Sequence, residues 1–216
     1  EEALDHYRAH LRRFPHVAVS WMNAAIVLCR LDRDHEALRF FDEALALDPA
    51  LRVARASRAM ARMRLGMLHE GWDDYRFREA TEQPRQGDRW PASLAGRKLH
   101  VRAEQGVGDQ LYFLRFARIA AGRGASITVD VADKLEGMVQ RAGFALSREA
   151  PTGAEVVFMG DLPWLLDAGD GDFPAPFEIP PLPASVERAQ ALLAGLPRPL
   201  VGVTWRAGGV RGKKDT

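Results

Sequence analysis

Ala18–Pro49, AVSWMNAAIVLCRLDRDHEALRFFDEALALDP, is the stretch on which the fold turns. Trp21, Ala24, Ala25 and Leu28 share one face of a first helix, and Ala37, Phe41 and Ala44 fall at i, i+4 and i+7 on a second. Pro49 ends that second helix because it cannot continue the hydrogen-bond ladder, and Asp34 is placed to cap its start. The pattern recurs at a spacing of 34 residues. Pro15 and Pro49 keep it, as do Ala3, Ala37 and Gly71, and Tyr7, Phe41 and Tyr75. Three columns in one register predict stacked helical hairpins over most of residues 2–80.

The unit resembles the tetratricopeptide repeat, with small residues that let paired helices approach and Trp21 and Phe41 filling the gap between them. About two and a half repeats fit residues 1–80. The first has only its second helix, Glu2 to Phe14, so the N-terminus is expected to be a cut inside a repeat. The third, Leu51 to Glu82, keeps Gly66, Gly71 and Tyr75 but carries Arg55, Arg58 and Arg62 where the pattern places Trp, Leu and Tyr. Ala56, Ala59, Met60 and Met63 still make an apolar face, which predicts a rotated helix with its arginines outward in solvent. An anion-binding stripe inside the groove of the superhelix is the other reading of that row.

With 216 residues, 47% apolar and 27% charged, the chain is long enough for one large or two ordinary globular domains. A net charge of +1 gives no electrostatic reason to expect nucleic acid as a partner. No stretch approaches the roughly 20 apolar residues of a membrane span; no signal peptide is visible either, an absence that carries no information if the N-terminus is the expected cut. Cys29 is the single cysteine, so an intramolecular disulfide is impossible and a reducing, cytoplasmic setting is expected. His6 and His10 have the i, i+4 spacing of a zinc pair but no H-E-x-x-H motif around them, so they read as surface histidines, with no metal expected.

Between about Thr81 and Lys98 the helical period stops, and Pro84, Gly87, Pro91 and Gly96 punctuate a polar linker, residues 81–96. After it the period alternates between that of strand and that of helix. Leu99, Val101 and Ala103 alternate in a strand; Gln110 to Ala121 reads as helix; Ile127, Val129 and Val131 form a second strand. A helix at Lys134 to Ala142, a short strand near Phe144, a strand at Glu155 to Met159 and a helical turn at Leu162 to Leu166 follow. The fold class is therefore α followed by α/β, a Rossmann-like, mostly parallel sheet over residues 97–198. A connection from Gly169 to Pro183, a helix at Val186 to Ala194 and a strand at Leu200 to Thr204 complete the reading. Residues 199–216 read as the opening strand of a truncated second domain or as a strand added to the first sheet.

The first strand runs into Glu104-Gln105-Gly106-Val107-Gly108-Asp109 at the start of a helix, the place where parallel sheets bind ligands. The dinucleotide fingerprint fails because Leu111 stands where its last glycine belongs, and the Gly-Lys-Ser/Thr of a P-loop is absent, so no cofactor is expected. The string Ala103 to Leu111, preceded by Leu94-Ala95-Gly96-Arg97, resembles the first turn of GT-B glycosyltransferases of the heptosyltransferase-like group. Gly71-Trp72, Tyr75, Arg89-Trp90, Asp161-Leu162-Pro163-Trp164-Leu165 and Val201 to Arg206 are similar to that group in the same order.

The resemblance implies an enzyme of two halves, of which this chain holds the acceptor side and is inactive alone. An aspartate at the position of Asp109 would take the proton from an acceptor hydroxyl. Glu104, Gln105, Gly106 and Gly108 would shape the acceptor-side loop, while Thr204 and Arg206 would face the donor diphosphate. The implied partners are a nucleotide sugar and a protein or glycan acceptor recruited by the repeat groove. Asp109 also has a plain structural reading, an N-cap whose carboxylate satisfies the backbone of Leu111 or Tyr112. Glu104 has one too, as a brace for the glycine loop, and Trp164 and Trp205 read as packing residues. The alternative function is a repeat-containing interaction module whose α/β part does no chemistry.

Overall fold

The computed structural model describes residues 1–78, 85–169, 174–176 and 178–202. Five helices come first: α1 (Glu2–Arg13), α2 (Ala18–Arg30), α3 (Asp34–Leu47), α4 (Arg52–Arg64) and α5 (Leu68–Tyr75). The 34-residue period belongs to the backbone as well as to the side chains. After α2, Leu31 N–H bonds the Val27 carbonyl at 3.2 Å and Arg33 N–H the Leu28 carbonyl at 3.0 Å. After α4, Leu65 bonds Ala61 at 3.2 Å and Met67 bonds Arg62 at 2.9 Å, each 34 residues further on. Asp32 and Gly66 occupy the same left-handed position in these turns, with φ of 57° and 79°.

Gly66 has open space where a Cβ would go, so conformation alone decides what a side chain costs there. Gly66→Ala is expected to lose about 1–2 kcal/mol of stability in urea denaturation, the penalty of the left-handed region for an L-residue. An unchanged midpoint would mean that the turn relaxes to another conformation.

The third repeat keeps the backbone of the second while exchanging apolar contacts for charged ones. Trp21 donates its indole N–H to the Pro15 carbonyl at 2.7 Å; in the equivalent column Arg55 donates Nε and Nη2 to the Pro49 carbonyl at 3.2 and 3.1 Å. Arg58 and Arg62 do not point outward as their composition predicts. Both turn onto α5, where the buried Asp74 accepts Arg58 Nε at 2.7 Å, Arg58 Nη2 at 2.9 Å and Arg62 Nη1 at 2.7 Å. A carboxylate placed inside the hairpin draws them in, and it also commits them, so the row is not a stripe free for anions. Gly71 lets α5 approach α4 closely, since a Cβ there would stand 2.9 Å from Met63 Cγ.

Asp34 departs from its expected part in a similar way. Helix α3 begins at Asp34 itself, with no side-chain cap hydrogen bond, and the largely buried carboxylate accepts Arg64 Nε at 2.9 Å. The bond to Arg64 holds its carboxyl below the usual range. A cation from the next hairpin thus replaces the N–H groups of its own helix as partner. Burial, helped by Asp34, pushes the Cys29 thiol up to about 11, so it stays protonated at neutral pH.

The sheet contains β1 (Lys98–Arg102), β2 (Ser126–Asp130), β3 (Ala145–Leu146) and β4 (Glu155–Phe158), all parallel, in the order β3-β2-β1-β4. Leu99 lies opposite Ile127 on one side and Glu155 on the other. Helix α6 (Val107–Gly122) joins β1 to β2, and α7 (Asp133–Arg141) joins β2 to β3. A 3-10 turn (Met159–Asp161) and the short α8 (Leu162–Leu165) follow β4. This is the Rossmann-like α/β arrangement that the alternating periods predict.

Glu1–Ile179 forms one compact unit and Pro180–Thr216 a second. Inside the first unit the third hairpin shares an apolar core with the sheet. Trp72 is buried edge-on against Phe113 and Phe116, with ring centroids 6.3 and 6.0 Å away. The irregular stretch before β1 is fastened to that core. Trp90 and Leu94 are buried, and their N–H groups bond the carbonyls of Leu165 at 2.6 Å and Arg123 at 2.7 Å. In the second unit α9 (Pro183–Leu193) buries none of its residues. Of the strand expected at 200–204, residues 200–202 are described and form no strand, while 203 and 204 lie outside the described residues. Among the described residues no helix is long and apolar enough to cross a membrane.

Candidate functional site at the sheet switch point

Going from β1 to β3 the chain moves steadily to one edge, then returns to place β4 on the other side of β1. Strand order reverses there, and the loops after β1 and β4 flank the crevice where α/β sheets receive ligands. The first of these loops is Ala103 to Gly106, and the second is the turn Met159–Asp161. The sequence-predicted residues Glu104, Gln105, Gly106, Gly108 and Asp109 all lie on the first loop or on the opening turn of α6.

Helix α6 starts at Val107, three residues ahead of the helical stripe that begins at Gln110. Gly106 is its N-cap residue, and Asp109 sits inside the first turn without a side-chain cap bond. Its reading as the cap is therefore corrected: Gln110 N–H already bonds the Gly106 carbonyl at 3.0 Å, which places the helix start before Asp109. The Asp109 carboxylate is exposed and has no hydrogen-bond partner among the described residues. A Cβ on Gly106 would come 3.4 Å from Asp109 Oδ2, whereas one on Gly108 would meet nothing within 4 Å. The approach to Asp109 over the glycines is open.

Glu104 turns the other way, into the protein. Its Oε1 accepts Arg78 Nε at 3.0 Å, Arg78 Nη2 at 2.7 Å and the Gly160 N–H at 3.1 Å. Arg78 also donates Nη1 to Asp161 Oδ1 at 2.7 Å. All three side chains are about 5% exposed or less. Arg78 thus bridges the two loops that flank the switch point. Glu104 Oε2 is buried without a partner, and burial pushes the carboxyl above its usual range although Arg78 pulls it down. Gly160 must be a glycine here, because a Cβ would stand 2.6 Å from Glu104 Oε1 and 2.8 Å from Arg78 Nε.

The neighbouring Gln105 pairs its side-chain amide with the Tyr75 hydroxyl, at 3.0 Å through Oε1 and 2.8 Å through Nε2. Burial is the main reason the Tyr75 hydroxyl titrates above its normal range, and the negative charges of Asp109 and Glu104 act in the same direction. On the far side, Gln110 donates Nε2 to the Gln105 carbonyl at 2.8 Å and accepts the Ala132 N–H at 2.9 Å. Arg78 is the residue that sequence reasoning missed, since it belongs to neither the repeat columns nor the glycine string.

Thr204, Trp205 and Arg206 lie outside the described residues. Trp164 is a packing residue, 6% exposed, with its indole N–H on Asp73 Oδ1 at 2.9 Å and the Arg76 guanidinium 4.8 Å from its ring. His6 and His10 are exposed on α1, and among the described residues no three His, Cys, Asp or Glu side chains gather as a metal site would need. The chemistry this arrangement supports is proton transfer at an open carboxylate beside a helix start, with a buried ion cluster behind it.

No family model matches the chain. No solved structure matches it either. It is similar to Protein FlbA of Caulobacter vibrioides, with 30% identity over 156 residues covering 52% of this chain and 26% of that protein. The chain thus spans about a quarter of the length of the curated relative it matches.

Proposed function

We propose that this chain is the acceptor-side part of a GT-B type glycosyltransferase, preceded by tetratricopeptide hairpins that recruit a protein or glycan acceptor. The observation that carries the reading is the Asp109 carboxylate, exposed, unpartnered among the described residues and set at the start of α6 beside the switch point. The turn bonds that recur 34 residues apart support the repeat assignment. The parallel order β3-β2-β1-β4 supports a nucleotide-sugar type of fold, while leaving chemistry to the residues of the site.

In this reaction an acceptor hydroxyl oxygen bonds to the anomeric carbon of the donor sugar as the bond from that carbon to the nucleotide phosphate breaks. The hydroxyl proton passes to Asp109. Its second task is electrostatic, since an acid in the first turn complements the positive end of the helix dipole. Thr204 and Arg206 are assigned to the donor diphosphate, where a planar guanidinium suits phosphate oxygens.

Asp109→Asn tests the assignment. Because the side chain caps nothing and only its interaction with the helix dipole is lost, stability of this chain should change by no more than about 1 kcal/mol in thermal denaturation. Sugar transfer by the longer protein that the reading implies should fall roughly 10²- to 10⁴-fold. Full activity in the variant would remove Asp109 as the base and leave the interaction-module reading in its place.

A further inference from the structure

We propose that the third helical hairpin sets the geometry of the loop that presents Asp109, with Tyr75 and Arg78 as its positioning residues. What the loop does rests on the sugar-transfer reading; how it is held does not. Gly106 and Gly108 have no side chains, so the loop is held through Glu104, Gln105 and Gln110. Gln110 ties it to the start of α7 through Ala132. Glu104 and Gln105 tie it to the helical part of the chain, through Arg78 and the Tyr75 hydroxyl.

That second attachment is rigid at its base. The Tyr75 ring packs against Trp72 and Phe113, with centroids 5.7 and 5.9 Å away, and the Arg78 guanidinium lies 5.2 Å from the same ring. Arg78 in turn grips Glu104 with two nitrogens and Asp161 with the third. Two adjacent loop residues are therefore fixed by Tyr75, the last residue of α5, and by Arg78 three residues beyond it. Without the hydroxyl of Tyr75, the Gln105 amide loses its partner, and the turn leading to Asp109 loses one of its two ties to the helical part. A base displaced by a fraction of its contact distance is a poorer base, because proton transfer needs heavy atoms within hydrogen-bond reach.

Tyr75→Phe tests this with little disturbance to packing, since the ring and its aromatic neighbours remain. In this chain the melting temperature should stay within about 2 °C. Amide hydrogen exchange at Gln110 and Leu111, the first hydrogen-bonded N–H groups of α6, should rise about fivefold, the equivalent of one net hydrogen bond, while β1 and β2 exchange as before. Arg78→Lys, which keeps the charge but not the fork, should loosen the same amides. In the longer protein Tyr75→Phe should lower kcat by about tenfold or more with KM nearly unchanged. Unaltered exchange at Gln110 and Leu111 in both variants overturns the positioning proposal whatever the transfer assay shows. Faster exchange in a parent that transfers no sugar leaves the positioning in place and removes the enzymatic reading.

Discussion

Arg78→Met is expected to lower the unfolding free energy of this chain by about 3–5 kcal/mol at neutral pH, with a fall in melting temperature on the order of 10 °C. Among the described residues the guanidinium is the one cation that pairs with the two buried carboxylates, Glu104 and Asp161, and methionine leaves both facing a hydrophobic stem. The deficit should depend on pH in a definite direction. Glu104 already titrates above its ordinary range because of burial, and the lowering contribution of Arg78 disappears in the variant. A carboxyl whose folded pKa exceeds its unfolded one binds more protons when folded, so its contribution to stability falls as pH rises from the ordinary carboxyl range through the folded pKa. The variant should therefore lie closest to the parent near pH 4–5 and diverge toward pH 7. Paired urea titrations across that range decide the matter, and a deficit that does not change with pH would show that solvent reaches Glu104.

Asp74→Ala is expected to be as costly, about 3–5 kcal/mol, because it strands Arg58 and Arg62 within the α4–α5 hairpin. Arg58 keeps only its exposed partner Asp42, and Arg62 Nε is already without an acceptor. The repeat itself supplies the control. One period earlier the same three positions are Ala24, Leu28 and Phe40. The triple variant Arg58→Ala, Arg62→Leu, Asp74→Phe copies that apolar set into the third repeat. Replacing a buried ion cluster by packed apolar groups is commonly neutral or stabilising, so the triple variant should return to within about 1 kcal/mol of the parent or exceed it. Failure of the triple variant to recover, with Asp74→Ala strongly destabilised, would mean that the ion pairs fix how α4 and α5 pack.

What the sequence makes legible follows from how local each feature is. The hairpins are visible because the columns of Ala3, Tyr7 and Pro15 each return at one spacing. The strands are visible because Leu99, Val101, Ile127 and Val129 alternate with polar neighbours. Arg58 and Arg62 mislead because charge normally marks a solvated face, and only the position of Asp74 on the partner helix reverses that. The start of α6 is misplaced because Gly106 and Gly108 look like loop, whereas the helix begins between them. Arg78 is illegible for a different reason: its partners lie 26 and 83 residues ahead, on loops whose proximity is set by the order of the strands.

Those separations have a consequence for the order in which the chain organises itself. The turn bonds of the hairpins join residues five or fewer positions apart, so the helical array can close while little of the chain has been made or has collapsed. β4 reaches β1 only after the whole β2–β3 excursion, which makes that pairing the slow, entropically costly closure. Arg78 has both its acids, Glu104 and Asp161, only when the two crevice loops are in place. A chain that ends before Asp161 would thus leave Arg78 with Glu104 alone of these two acids.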